Sequence, residues 1–172
     1  MTRLFLIGYR CVGKTTVARL VAEHWGWDWI DADAELERIA GKSIRKIFDE
    51  EGESSFRARE SAVLASLCER ERLVIATGGG VVLRPENRER LKSGKVVWLS
   101  ASGDEIWRRM QADATTGDRR PNLAQGGLAE VESLLAARDP LYRGCADVRV
   151  ETSDRTPEEI VLGIVSTFAS AG

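Results

Sequence analysis

The chain has 172 residues, enough for one domain with a buried core and little more. Hydrophobic residues make up 43% and charged residues 30%, a mixture that excludes a disordered or membrane-embedded chain. A net charge of −2 gives no general attraction to nucleic acid, so we expect small-molecule partners. No apolar run approaches the ~20 residues that a membrane span needs, so we expect no membrane partner. We expect residues 1–172 to form a single monomeric domain in the cytoplasm, where three widely spaced cysteines stay reduced.

Short apolar runs alternate with helical patterns along the chain, which is typical of a parallel α/β sheet. Buried strands are predicted at residues 4–7, 73–76 and 96–99, and weaker ones at 29–30 and 148–150. One amphipathic helix is predicted to start near Gly13, and a second one carries Val63, Leu64 and Leu67 on one face. A last helix is predicted with Thr156 as its cap and Pro157 at its first position.

Residues 112–127, ADATTGDRRPNLAQGG, interrupt this alternation. The stretch is polar, contains Arg119 and Arg120, and has no apolar period. Long irregular loops inside compact domains are usually lids or disordered segments. The adjacent arginines favour a mobile lid.

The segment from Gly8 to Thr15 matches the phosphate-binding pattern G-x-x-x-x-G-K-[ST], with a predicted strand before it and a helix after it. Such a loop turns successive backbone N–H groups toward an anion at the positive end of a helix dipole. Lys14 would reach the β- and γ-phosphates of a nucleotide, and the Thr15 hydroxyl would bind Mg²⁺. The alternative is a chance match in a surface turn, which the flanking elements disfavour.

Two aspartates, Asp31 and Asp33, end a strand-like segment. If the strand continues through them, its period of two puts both carboxylates on one side, near the edge where open α/β sheets bind ligands. A kinase needs one acid near Mg²⁺ and one to orient the acceptor hydroxyl. An acidic helix start at Asp33 explains the pattern about as well.

Further candidates lie on the acceptor side. Residues 56–60 are predicted to open the second helix, which places Arg57 and Glu60 on one face. Arg57 can then be interpreted either as an arginine that binds a ligand carboxylate or as part of a solvated ion pair. The run of Gly78, Gly79 and Gly80 follows a predicted strand and indicates close ligand approach or a tight turn. Arg138 is predicted near the end of a helix, where it binds a ligand or offsets the helix dipole.

Taken in order, these fragments resemble the shikimate kinase family over nearly the whole chain. The matching blocks are G-x-x-x-x-G-K-T at 8–15, D-x-D at 31–33, G-x-S-I-x-x-I-F at 41–48, E-x-G-E-x-x-F-R at 50–57, T-G-G-G at 77–80, R-P-x-L at 120–123 and R-x-P-L-Y at 138–142. The resemblance implies a three-layer α/β/α P-loop kinase with a five-stranded parallel sheet, a substrate-binding segment at about 31–60 and a lid at about 112–127. It also implies transfer of the γ-phosphate of ATP to the 3-hydroxyl of shikimate, a step of aromatic amino acid biosynthesis.

The resemblance assigns roles to individual residues. Lys14, Asp33 and Arg120 would be catalytic, with Asp33 as the base. Thr15 and Asp31 would serve Mg²⁺, Asp31 through water. Shikimate would be bound by Asp33, Arg57, Gly79, Gly80 and Arg138. ATP would contact Gly8, Cys11, Val12, Gly13, Lys14, Thr15, Thr16, Arg120, Arg155 and Pro157.

The chain departs from the family pattern at three places. Cys11 stands where glycine is usual, Asn122 replaces a leucine on the lid, and the lid approach at 110–118 has no arginine to stack on adenine. Two other functions stay open at this point: a gluconate-type hydroxy-acid kinase, and an inactive kinase-like regulatory domain. The second is disfavoured because Lys14 and Thr15 are both present.

Overall fold

A computed structural model describes residues 1–113 and 127–169. Five parallel strands form one sheet in the order β2-β3-β1-β4-β5. The strands are β1 (Arg3–Ile7), β2 (Asp28–Asp31), β3 (Leu73–Ala76), β4 (Lys95–Ser100) and β5 (Val148–Glu151). The helices of the described ranges are α1 (Lys14–Trp25), α2 (Ala32–Ala40), α3 (Ile44–Leu67), α4 (Pro85–Leu91), α5 (Gly103–Ala112), α6 (Gly127–Cys145) and α7 (Pro157–Ala169), with a short 3-10 turn at Val81–Leu83.

Two apolar cores lie on opposite faces of the sheet because side chains alternate along each strand. On β1, Leu4 and Leu6 face a core shared with α1, α5 and α7, whereas Phe5 and Ile7 face a core shared with α2, α3 and α4. Helix α6 contributes to both, through Val131 near its start and Tyr142 near its end. The expected three-layer fold with a five-stranded parallel sheet is confirmed.

The last helix has the predicted capping arrangement. The backbone N–H of Glu159 donates to Thr156 Oγ1 at 3.2 Å, and the carboxylate of Glu159 accepts from the backbone N–H of Thr156 at 2.8 Å. These two bonds form a reciprocal capping box, with Pro157 at the first helical position.

Residues 56–60 lie near the start of a helical segment, as predicted: Gly52, with a φ of 81°, divides α3 into two helical segments, and these residues belong to the second. One helix boundary differs from the sequence-based prediction. Arg138 does not lie at a helix end, because α6 continues through Pro140 to Cys145. A role for Arg138 in offsetting the dipole at the last turn is therefore wrong.

Within residues 1–113 and 127–169, no helix combines the length and apolar character that a bilayer crossing needs. Most of the predicted lid, including Arg119, Arg120 and Asn122, lies outside these described residues.

Candidate active site

The phosphate-binding loop joins the end of β1 to the start of α1. Gly8 has a φ of 137°, and a Cβ there would collide with the backbone carbonyl of Leu99 on β4. Gly13 caps α1 with a φ of 91°, and Cys11 has a φ of 59°. The left-handed conformation at position 11 explains why glycine suits it, since a side chain there carries a backbone cost. The loop keeps this conformation with a cysteine in place.

Lys14, the first residue of α1, folds back over this loop. Its Nζ donates to the carbonyl oxygens of Gly8 at 2.8 Å and Tyr9 at 2.6 Å. The ammonium is thus held against the loop backbone, at the N-terminus of α1. This position suits an amine that binds the terminal phosphates of a nucleotide.

Thr15 and Asp31 come together from adjacent elements. The Thr15 hydroxyl donates to Asp31 Oδ2 at 2.6 Å. The other carboxylate oxygen, Oδ1, caps α2 by accepting from the backbone N–H groups of Asp33 at 3.0 Å and Ala34 at 3.1 Å. Because the hydroxyl proton points at Asp31, the lone pairs of the Thr15 oxygen are left for another ligand.

These oxygen donors fit the chemistry of Mg²⁺. Mg²⁺ bound with a nucleotide usually takes one or two protein oxygen ligands, with phosphates and waters completing the octahedron. In the described part of the chain, no three His, Cys, Asp or Glu side chains cluster as a metal cage. A site built from Thr15 and Asp31 therefore matches a metal that arrives with ATP.

Asp33 lies in the first turn of α2, not on a strand. The alternation argument for placing it beside Asp31 is therefore wrong, and the acidic helix start is the correct local description. Asp33 nevertheless reaches the predicted glycine turn: a Cβ on Gly78 would come within 2.8 Å of Asp33 Oδ1 and of Glu60 Oε1. Glycine at position 78 lets the two carboxylates approach the backbone.

Arg57 is buried on α3 and is not a solvated ion pair. It is 8% exposed, donates to Glu60 Oε2 at 2.8 Å, and places its Cζ 5.0 Å from the ring centroid of Phe56. Its guanidinium lies directly against Gly80, where a Cβ would overlap it. Glu60 is only 5% exposed, so the pair presents an oriented guanidinium beside the glycine turn.

Arg138 approaches the same turn from α6. It is 7% exposed, its Cζ lies 5.5 Å from the ring centroid of Tyr9, and its charge acts on the nearby Tyr142 hydroxyl. That hydroxyl donates to the carbonyl of Gly79 at 2.5 Å. Burial raises the pKa of Tyr142 far above its usual range, with Arg138 only partly opposing the rise, so Tyr142 stays a donor.

The candidate adenine contacts, Arg155 and Pro157, lie where β5 gives way to α7. Arg155 donates to the carbonyl of Glu159 at 3.2 Å, and both candidates are exposed. Arg109, which the sequence did not single out, links this region to the phosphate loop. It donates to the carbonyl oxygens of Cys11 at 3.3 Å and Thr152 at 3.0 Å.

The structure thus brings most of the predicted residues to one edge of the sheet, at the carboxyl ends of β1, β2 and β3. Those that meet there are Gly8, Cys11, Val12, Gly13, Lys14, Thr15, Thr16, Asp31, Asp33, Arg57, Gly79, Gly80 and Arg138. Sequence reasoning missed Glu60, Arg109 and Tyr142 as site residues. The spacing of Glu60 from Arg57 was a usable signal; the contacts of Arg109 and Tyr142 span 98 and 63 residues and leave no local pattern.

Comparison with known proteins agrees with this geometry. The family model described as shikimate kinase matches residues 10–169. Curated shikimate kinases from Rhodopirellula baltica and Pseudomonas savastanoi are 44% and 46% identical; each alignment covers 98% of this chain, with 91% and 97% of the respective relative.

Solved structures give the same result. A shikimate kinase from Acinetobacter baumannii in complex with shikimate is 38% identical, with a TM-score of 0.93, and the match covers 99% of this chain and 94% of that one. A gluconokinase from Sinorhizobium meliloti is 18% identical with a TM-score of 0.64, over 98% of this chain and 92% of that one, and shares the fold alone. The match of the family model and the full-length relatives place the chain in one family: this protein belongs to the shikimate kinases.

Proposed function

We propose that this protein transfers the γ-phosphate of ATP to the 3-hydroxyl of shikimate, giving shikimate 3-phosphate and ADP. The observation that carries the proposal is the placement of two buried arginines beside the glycine turn and the phosphate loop: Arg57 lies against Gly80, and Arg138 lies over the ring of Tyr9. Family membership and the shikimate complex of the Acinetobacter baumannii relative support the identity of the acceptor.

Phosphoryl transfer is mainly a matter of position and charge. Backbone N–H groups of the phosphate loop would hold the phosphates, and Lys14 would exchange its two loop carbonyls for the β- and γ-phosphate oxygens. There its charge would stabilise the transferring group, because negative charge builds on its oxygens in the transition state. Asp33 would orient the 3-hydroxyl of shikimate and accept its proton.

The carboxylate of shikimate would be bound by Arg57 and Arg138. Arginine forks bind carboxylates through paired N–H groups, and Glu60 keeps the Arg57 fork aligned. The backbone of Gly79 and Gly80 would lie beside the ring, where the lack of side chains leaves room. A neutral sugar would offer these two guanidinium groups no carboxylate to bind.

Mg²⁺ is proposed as the cofactor, held by Thr15 directly and by Asp31 through water. When bound, it would neutralise charge on the β- and γ-phosphates. The chain's own contribution is the hydrogen bond from Thr15 to Asp31, which orients the hydroxyl before the metal arrives.

Several further assignments remain proposals. The adenine would contact Arg155 and Pro157, and a lid at about 112–127 would carry Arg120 to the phosphates. Closing such a lid would exclude water, which otherwise competes with the acceptor hydroxyl. We also propose a single domain spanning residues 1–172, a monomeric state, a cytoplasmic location and no nucleic-acid or membrane partner.

The test is a coupled ADP-release assay with shikimate, quinate and gluconate as acceptors. Turnover should be highest with shikimate, and Arg57→Ala and Arg138→Ala should each raise the KM for shikimate about ten- to a hundredfold, the cost of losing a charge-assisted contact. Arg59→Ala is the matched control, because Arg59 lies on the same helix but pairs with Glu51 at 3.0 Å near the surface. Faster turnover of gluconate, or equal effects of the two alanine variants on shikimate and ATP, would refute the proposal.

A further inference from the structure

Tyr9 is a phosphate-loop residue whose side chain leaves the loop. Its backbone carbonyl accepts from Lys14, whereas its side chain is 1% exposed and extends toward α6. The loop that would hold ATP therefore also places an aromatic ring in the interior, next to the acceptor side of the site.

The ring of Tyr9 packs against the guanidinium of Arg138. The guanidinium carbon lies 5.5 Å from the ring centroid, inside the roughly 6 Å within which a cation is attracted to a ring face. Both side chains are buried, so water weakens this attraction little.

The hydroxyl of Tyr9 does not explain why a tyrosine is buried here. Within residues 1–113 and 127–169 that hydroxyl has no hydrogen-bond partner. Tyr9 is one of the residues that line a cavity of about 20 Å³, together with Ser100, Asp139 and Arg149. The contact that the side chain does make with a charged group is through the face of its ring.

The Tyr142 hydroxyl, one turn further along α6, also interacts with the charge of Arg138, and it donates to the carbonyl of Gly79. The guanidinium thus lies between a ring from the nucleotide loop and a hydroxyl that is bonded to the glycine turn.

We propose that Tyr9 is a positioning residue for the acceptor: its ring holds the guanidinium of Arg138 in the orientation that receives the acceptor's carboxylate. The inference rests on the proposed function, in which Arg138 binds that carboxylate. It goes beyond that function by giving a side chain of the ATP-binding loop control over the affinity for the other substrate.

The experiment measures shikimate binding to the nucleotide-free protein by calorimetry, together with the KM values for shikimate and ATP. Tyr9→Leu removes the ring and should raise the Kd and KM for shikimate about two- to thirtyfold, the range expected from a buried cation–π contact. Its KM for ATP should change far less. Tyr9→Phe keeps the ring and should restore shikimate binding.

Two controls separate positioning from loss of packing. Val17→Ala removes buried volume from the same apolar core and should lower the melting temperature without changing shikimate binding. Tyr9→Met provides a second ring-free variant if Tyr9→Leu folds poorly, because methionine fills irregular space. In the Arg138→Ala background, Tyr9→Leu should weaken shikimate binding no further.

The outcomes distinguish this inference from the proposed function. If Arg138→Ala weakens shikimate binding and both ring-free variants bind as the wild type does, the inference fails alone. It also fails alone if Tyr9→Leu keeps its full effect in the Arg138→Ala background. If Arg138→Ala leaves shikimate binding unchanged, the carboxylate clamp of the proposed function fails, and the inference fails with it.

Discussion

Gly80→Ala tests whether the glycine turn positions Arg57. Gly80 has a φ of −99°, which alanine adopts without strain, so the substitution acts only through its added methyl group. That methyl would come closer than 3.0 Å to Nη1, Nη2 and Cζ of Arg57. Because Arg57 is buried and paired with Glu60 at 2.8 Å, it has little room to withdraw.

The size of the effect follows from this overlap. The guanidinium must move by roughly 1 Å, a displacement that can cost about a hundredfold when it misaligns a catalytic or binding group. Losing one charge-assisted contact to a carboxylate costs about 1.5–3 kcal/mol, or roughly a 10- to 150-fold rise in KM. We expect Gly80→Ala to raise the KM for shikimate in this range and to change the KM for ATP little.

Steady-state kinetics with each substrate varied in turn gives the two KM values. Gly144→Ala is the comparison, since it also adds one methyl group but a Cβ there has no heavy atom within 4 Å. Adding Gly80→Ala to Arg57→Ala should cause no further loss. A KM for shikimate within twofold of wild type, or a full additional loss in the double variant, would show that Gly80 does not position Arg57.

Three further predictions concern the phosphate loop and the surface. Lys14→Met should lower kcat by orders of magnitude while the circular dichroism spectrum stays native, because the charge on the transferring phosphoryl group loses its partner; activity within a few-fold of wild type contradicts this. Cys11→Gly should raise Tm by about 1–4 °C, because it relieves about 1–2 kcal/mol of left-handed backbone strain, which outweighs the added freedom of the unfolded chain. Cys11→Ala keeps a Cβ and should leave Tm unchanged. Arg108, and with it Arg109, lowers the pKa of Glu105 to about 2, so this carboxylate stabilises the fold above about pH 4.5 and loses that effect as the pH falls toward 2. Glu105→Gln should therefore be less stable than wild type at pH 6, with the gap closing at pH 2; a gap that is constant in urea titrations across this range contradicts the assignment.

The sequence predicted the elements whose burial is complete. Strands β1, β3 and β4 are apolar along nearly their whole length, so their short runs stand out. Strand β2 lies at the edge of the sheet with Asp28 and Trp29 exposed, which weakens its pattern. Helix α2 was predicted only as an alternative, an acidic helix start at Asp33, because its nine residues bury only Leu36.

Local sequence signals were misleading where tertiary contacts determine the secondary structure. Pro140 suggests a helix end, yet α6 continues past it, and Tyr142 in its last turns is fully buried against the glycine turn. Asp33 is beside the turn because α2 starts there, not because a strand alternates. The phosphate loop could be predicted from its spacing and its flanking strand and helix. The shikimate side of the site required the order of all the matching blocks, since each arginine has an ordinary structural alternative.

The hydrogen bonds of Asp31 couple ligand binding at Thr15 to the opening of the first turn of α2. One oxygen holds the first amides of α2, and the other holds the hydroxyl of Thr15. Any fraying of the first turn of α2 therefore releases the hydroxyl, and any ligand that fixes the hydroxyl opposes fraying. Hydrogen exchange at the amides of Asp33 and Ala34 should therefore slow when a ligand binds the Thr15 hydroxyl next to the phosphate loop.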